Sequence, residues 1–155
     1  MGSKSIKKLV ENYLDEAKLM QIATSKNNKP WAASVWYAND KSMNLYFISR
    51  KSRRHSIELN KNRNVAGCIV KPHTIGSGQK VRGIQFEGTA RQCNLTEIRK
   101  ANDLYLKKYP KAERTPISKL LSPKLYYTYY IIKPKRIVLF DEVNFPEHPE
   151  QELVL

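Results

Sequence analysis

The sequence predicts a mainly β fold with peripheral helices (β+α): a small closed or split β-barrel of six or seven antiparallel strands. Three observations predict it. Short runs rich in β-branched and aromatic residues recur at regular spacing, divided by polar turns such as Lys26–Pro30 and Ala38–Ser42. The connections between the first three runs are too short for crossover helices, which selects an antiparallel meander over βαβ units. And 155 residues are enough for one domain with a real core.

Taken in order, Ile6, Leu9, Val10, Tyr13, Leu14 and Ala17 recur at helical spacing. A helix capped by Ser3 or Ser5 is therefore expected to run to about Leu19, with one face on the core. Strands follow at 20–25, 31–37 and 43–48. Ser52 to about Lys61 reads as a short helix, with Ser52 at its cap and Asn60, Asn62 and Asn64 at its exit. Residues 65–70 form a fourth strand, and Lys71–Gln79 is a loop by its Pro, Gly and Ser content. Lys80–Cys93 is a longer fifth strand in which Gly83 and Gly88 mark a bulge or a close backbone approach. Asn94 or Thr96 caps a helix reaching Tyr109, stopped by Pro110. Thr115–Leu121 is a short helix with Pro116 at its first position. Leu125–Ile132 is a sixth strand, Pro134 a break and Arg136–Phe140 a seventh strand. Residues 1–141 thus read as a single domain. The acidic tail, residues 142–155, has no core pattern and is expected to be ordered only by packing on a partner or another subunit.

Charge narrows the function. The chain carries a net +14, and all 28 Lys and Arg lie in the first 140 residues against nine acids; residues 141–155 hold five acids and no base. Such a field favours anionic ligands: a phosphorylated cofactor, nucleic acid or an anionic surface. Two widely spaced cysteines, Cys68 and Cys93, and three histidines give no metal-ligand spacing, so no metal site is expected. No apolar run is long enough to span a bilayer. The stretch MGSKSIKKLVENYL has no uninterrupted apolar core, so no membrane association and a cytoplasmic location are expected.

The candidate site is Leu45–His55. An apolar run, Leu45, Tyr46, Phe47 and Ile48, delivers Ser49 and then Arg50, Lys51, Ser52, Arg53 and Arg54 to the start of a helix. The free N–H groups and positive dipole end of a first helical turn favour an anion, and guanidinium groups grip phosphate through paired hydrogen bonds. The alternative is a solvated basic helix start. Ser52 serves as helix cap, phosphate ligand or both. His55 is expected to pack or hydrogen-bond rather than act as acid or base. Trp31, Trp36 and the tyrosines Tyr126, Tyr127, Tyr129 and Tyr130 are expected in the core or at a dimer interface.

The order and spacing of several segments carry a resemblance. Gln21-Ile22-Ala23-Thr24 is followed by Lys29-Pro30-Trp31, then Val35-Trp36-Tyr37, then Leu45-Tyr46-Phe47-Ile48 and the basic corner. Asn64-Val65-Ala66 opens the next strand, and Arg82-Gly83-Ile84-Gln85-Phe86-Glu87-Gly88-Thr89-Ala90 is the best single match. Over residues 6–141 the chain resembles the pyridoxamine 5′-phosphate oxidase-like FMN-binding split β-barrel proteins, closest to their small bacterial branch. The resemblance implies an antiparallel split barrel and a homodimer with FMN in two interface clefts. The phosphate would sit on the Ser49–His55 corner, including Lys51, Ser52, Arg53 and Arg54, and the ring against Ser34, Val35 and Trp36 beside Ile48. Arg82 and Gln85 would add polar contacts, some across the subunit interface.

The acidic tail lacks the basic and aromatic residues that the true oxidases carry near the C-terminus, which argues against vitamin B6 oxidation. A flavin-dependent oxidoreductase with an unknown small-molecule substrate or redox partner is the first reading. A non-enzymatic flavin or haem binder, acting as a carrier, sensor or stress protein, is the second, with F420 a further candidate ligand. Nucleic-acid binding ranks third: the charge is present, but no strand shows exposed aromatics alternating with Arg or Lys.

Overall fold

The computed structural model describes residues 3–155. Helix α1 (Ser3–Glu16) leads into β1 (Leu19–Lys26), β2 (Lys29–Asn39) and β3 (Leu45–Arg50). Helix α2 (Arg54–Lys61) precedes β4 (Asn64–Val70) and β5 (Arg82–Gln92). Helices α3 (Leu95–Lys108) and α4 (Ile117–Leu120) precede the long β6 (Tyr127–Asp141) and the short β7 (Glu150–Leu153). All strand pairs are antiparallel, in the order β3-β2-β1-β4-β5-β6-β7, and β3 also pairs with β6. That extra pairing curls the sheet into a partial barrel.

Local chemistry explains most boundaries. Asn27 and Asn28, with φ of 51° and 58°, make the two-residue turn joining β1 to β2. Asn tolerates positive φ at both central positions, as the hairpin-matched type I′ turn requires. Asp40 ties the β2–β3 turn by accepting hydrogen bonds from Ser42 N, Asn44 N, Tyr46 Oη and Lys100 Nζ. Asn94 caps α3 in a reciprocal capping box with Glu97. Helix α1 ends at Glu16, three residues before the expected Leu19, and both Ser3 and Ser5 are already helical.

The main core fills the barrel. One face of α1 (Val10, Tyr13, Leu14), with Ala17 just past its end, packs there against Met20, Ile22, Tyr37, Phe47, Ile69, Ile84 and Leu139. A second cluster lies on the opposite face of β3 and β6, where α3 and α4 bring Ile98, Ala101 and Leu120 onto Tyr46, Tyr129 and Ile131. Strands β3 and β6 are therefore covered on both faces, which is why Leu45–Ile48 and Tyr129–Ile132 are unbroken apolar runs rather than alternating ones.

Two expectations need correction. Pro134 does not end a strand; β6 runs through it. Its ladder with β5 carries a bulge in β6: Glu87 faces Arg136 and Gly88 faces Pro134, which leaves Lys135 as the extra residue. The other edge of β6 pairs with β3 up to Ile132 and with β7 from Ile137, so the missing N–H of Pro134 falls where no ladder bond is due. The acidic tail is also not left to a partner: β7 pairs with β6, Leu153 is buried, and Arg136 forks onto Glu152 at 3.0 and 3.1 Å.

A Cβ on Gly88 would collide with the Lys133 carbonyl oxygen and lie 2.8 Å from Pro134 Cα, both backbone atoms. Gly88→Ala is expected to lower unfolding stability by about 1–3 kcal/mol, read from the midpoint of a urea titration.

Candidate functional site

The split of the barrel makes the site. β2 and β3 pair through only three positions, Tyr37↔Phe47, Ala38↔Tyr46 and Asn39↔Leu45. Beyond these, β2 stays with β1 while β3 stays with β6, and the strands part. The cleft between them is lined from β2 by Trp31, Ala33, Ser34, Val35 and Trp36, and from β3 by Ile48, Ser49 and Arg50. The start of α2 closes one end with Arg53, Arg54 and His55, and Tyr105 of α3 stands over it. Because β2 has lost its neighbour here, its backbone edge at residues 31–36 has no sheet partner on that side.

The α2 end gathers positive charge. Arg53, not Ser52, occupies the N-cap, with extended backbone (φ −68°, ψ 146°) and no side-chain cap. The first helical bond runs from Ile57 N to Arg53 O, so the N–H groups of Arg54, His55 and Ser56 are left without intrahelical acceptors. Arg54 is held in place: its Nε donates to Glu58 Oε1 at 2.9 Å, and its guanidinium lies 4.3 Å from the Trp31 ring centroid. Thr24 Oγ1 donates to the other Glu58 oxygen at 2.6 Å. These hydrogen bonds, Thr24's first and Arg54's next, hold the Glu58 carboxyl below its ordinary range. Among the described residues, no Asp or Glu lines the cleft, and Arg50 and Arg53 have no carboxylate partner.

His55 is buried beneath the corner. Its Nε2 lies 2.7 Å from Ser49 Oγ, and its ring meets Phe47 edge to face. Burial lowers its pKa, and the neighbouring Arg53 charge lowers it further. The ring is therefore neutral near pH 7 and anchors the Ser49 hydroxyl.

Of the residues expected at the site, Ser34, Val35, Trp36, Ile48, Ser49, Arg53 and Arg54 come together in this cleft. Lys51 stands beside it, with Nζ donating to Pro123 O at 3.0 Å. Ser52 is exposed in the turn, displaced from the cap by one residue. Gln85 lies away from this cleft, exposed on the outer face of β5, and Arg82 is half-buried opposite Asp141. The outward positions Ser34, Gln21, Cys68 and Gln85 form one transverse row, so Gln85 shares a face with the cleft's rim but not its interior. Trp31 and Trp36 are 42% and 54% exposed and belong to no core. Trp31, Ala33 and Tyr105 were not among the expected site residues. The alternation Trp31-Ala33-Val35 on one strand face was the available signal for the first two; only the tertiary placement of α3 brings in Tyr105.

Comparison with known proteins agrees with this architecture. A family model described as pyridoxamine 5′-phosphate oxidase matches residues 6–139. A UPF0306 protein of Pasteurella multocida is 31% identical over 103 residues, covering 66% of this chain and 68% of its own. Among solved structures, the haem storage protein of Vibrio cholerae superposes with a TM-score of 0.68 at 15% identity, covering 85% of this chain and 91% of that one. General Stress Protein 26 of Bacillus anthracis superposes with a TM-score of 0.62 at 20% identity, covering 86% and 92%. At these identities the two structures establish a shared fold. No helix among the described residues is long and apolar enough to cross a membrane.

The electrostatics predict a titration. His55 in the folded protein should titrate below its ordinary 6.5, and Arg53→Ala should move it upward by removing a neighbouring charge. Because the folded-state value is depressed, the stabilisation is complete above the unfolded value and is lost as pH falls through the folded one. NMR titration of the imidazole checks the shift, and urea midpoints between pH 7 and about 5 check the loss.

Proposed function

We propose that this chain, which belongs to the pyridoxamine 5′-phosphate oxidase family, holds FMN in the β2–β3 cleft and acts as a flavin-dependent oxidoreductase. The observation that carries the reading is the Arg53 corner: a guanidinium that has no carboxylate partner among the described residues, beside first-turn N–H groups of α2 that lack intrahelical acceptors, at one end of the cleft. The donor set fits the cofactor. Arg53, the α2 N–H groups and Ser49 would hold the phosphate, while the Arg54–Glu58 pair limits Arg54 to a supporting contact. Ser34, Val35 and Trp36 would meet the ring through the unpaired β2 backbone edge, opposite Ile48.

FMN, when bound, supplies the hydride and electron chemistry; the protein supplies binding, orientation and electrostatics. The neutral His55 keeps Ser49 oriented without adding charge to the corner. Tyr105 and Trp31 narrow the cleft and reduce the access of water.

The outer sheet face supports a homodimer. Leu19 and Trp36 pair across β1 and β2 and are exposed, as is Val70, and Ala23, Ala32 and Ala66 continue the face with small side chains. A second copy on this face would bury them. It also gives Gln85 a role, since from the outer face of β5 it would reach a ligand in the partner's cleft rather than its own; Arg82 points to the other face of β5, opposite Asp141.

A haem reading follows from the haem storage protein among the relatives of the fold. The same cations would take haem propionates. Against it, the one imidazole lining the cleft is buried and tied to Ser49.

The visible spectrum of purified protein, before and after adding FMN, separates these readings. Bound flavin with bands in the blue and near-ultraviolet is expected, and a Soret band would replace this reading with haem. Arg53→Ala should weaken FMN about 10- to 100-fold in a fluorescence titration, the worth of one charged hydrogen-bonded contact. Unchanged affinity would remove the corner from the site. Turnover is tested by anaerobic bleaching with a reduced nicotinamide donor; tight flavin binding without bleaching by any donor would favour a carrier.

A further inference from the structure

We propose that the rim of the cleft binds single-stranded nucleic acid, with unpaired bases stacked on Trp31 and Tyr126 and the intervening phosphates on Arg50 and Arg53. Trp31, Trp36 and Tyr126 are the exposed large aromatic side chains among the described residues; Trp31 and Trp36 line this cleft, and Tyr126 lies outside it against Arg50, which lines it. Trp36 belongs to the face assigned above to a second copy, which leaves Trp31 and Tyr126. Tyr126 is 61% exposed, just ahead of β6.

Each of these two rings is backed by an arginine of the corner. The Arg54 guanidinium lies 4.3 Å from the Trp31 centroid, and that of Arg50 lies 5.5 Å from the Tyr126 centroid. Both arginines line the cleft together with Arg53, so each ring is joined to the corner through its own arginine. Strand β2, the end of β3, the start of α2 and the segment before β6 together supply the aromatic-and-arginine alternation that no single strand contains.

Charge extends the surface. Among the described residues no carboxylate lines the cleft, and Arg50 and Arg53 lack acidic partners. The segment 99–124 holds eight Lys and Arg, of which Lys100 is spent on Asp40 and Lys108 on Leu14 O, against two acids. It is fastened to the corner through Lys51 Nζ to Pro123 O, at 3.0 Å, while Lys51 N donates to Tyr126 O at 2.9 Å. A positive track beside aromatic platforms suits single strands, because every base offers a flat face whatever its sequence. A duplex hides those faces, and its stiff backbone would meet charge alone.

The test uses the full chain without added FMN, so that strand binding stands or falls independently of the cofactor reading. Fluorescence anisotropy is measured with a short mixed-sequence single-stranded RNA, the matching single-stranded DNA and the matching duplex. Both single strands, or one of them, should bind more tightly than the duplex; preference between the two identifies the sugar. Log affinity should fall with log salt at a slope of about −1.4, from Arg50 and Arg53 at roughly 0.7 each. Trp31→Ala and Tyr126→Ala should each weaken the single strand roughly 5- to 150-fold and leave duplex binding unchanged. Both side chains are exposed, and circular dichroism verifies that the variants fold. Tyr126→Ala should keep its FMN affinity, since Tyr126 does not line the cleft. Equal binding of duplex and single strand with no effect of either aromatic variant, or no binding at about 0.1 M salt, a normal ionic strength, would overturn the proposal.

Discussion

The early parting of β2 and β3 is the constraint on which the rest of the molecule depends. Three residue pairs join them, and then each strand follows its other neighbour. A longer pairing would close the barrel and leave no cleft. The parting frees one backbone edge of β2, opens the face of Ile48 and Ser49, and places the first turn of α2, whose N–H groups lack intrahelical acceptors, at the end of the cleft. β3 remains rigid through this opening because β6 pairs with it residue by residue from Leu45 to Arg50. The site is a gap in one ladder held open by the completeness of the next.

The corner concentrates positive charge, and its neighbours show how the fold tolerates it. Glu58 accepts from Arg54 and Thr24 and is, among the described residues, the one carboxylate committed there. His55, two residues past Arg53, remains neutral. Arg50 and Arg53 keep their charges at the surface, where water screens them. Anion binding would relieve the remaining repulsion, so the corner trades some self-repulsion in the free protein for affinity.

What could be read in the sequence divides along physical lines. The order of strands, the Asn27–Asn28 turn and the Asn94 cap are local chemistry and were legible. So was the basic corner, since Ser49 to His55 are contiguous. The break expected at Pro134 did not occur, because whether a proline interrupts a strand depends on what lies on each edge, and that is set by β3, β5 and β7. Ser52 looked like the better cap by residue type, yet the helix starts one residue later. Arg82 and Gln85 seemed to face the same cleft as the corner; strands β1 and β4 separate them from it within one chain. Trp31 read as a core or dimer-interface residue because large aromatics usually are; it lies outside the core, at the rim beside the Arg54 guanidinium.

The two-sided use of β6 has a consequence for behaviour in concentrated solution. An unpaired strand edge is a template on which other chains can add, the first step toward sheet-like aggregates. On β6 that edge is taken by β3 on one side of Pro134 and by β7 on the other, and at Pro134 there is no N–H to offer. The short acidic C-terminal segment thus acts as a cover strip. Its negative charge, set against the basic body of the same chain, also discourages a second tail from docking alongside it.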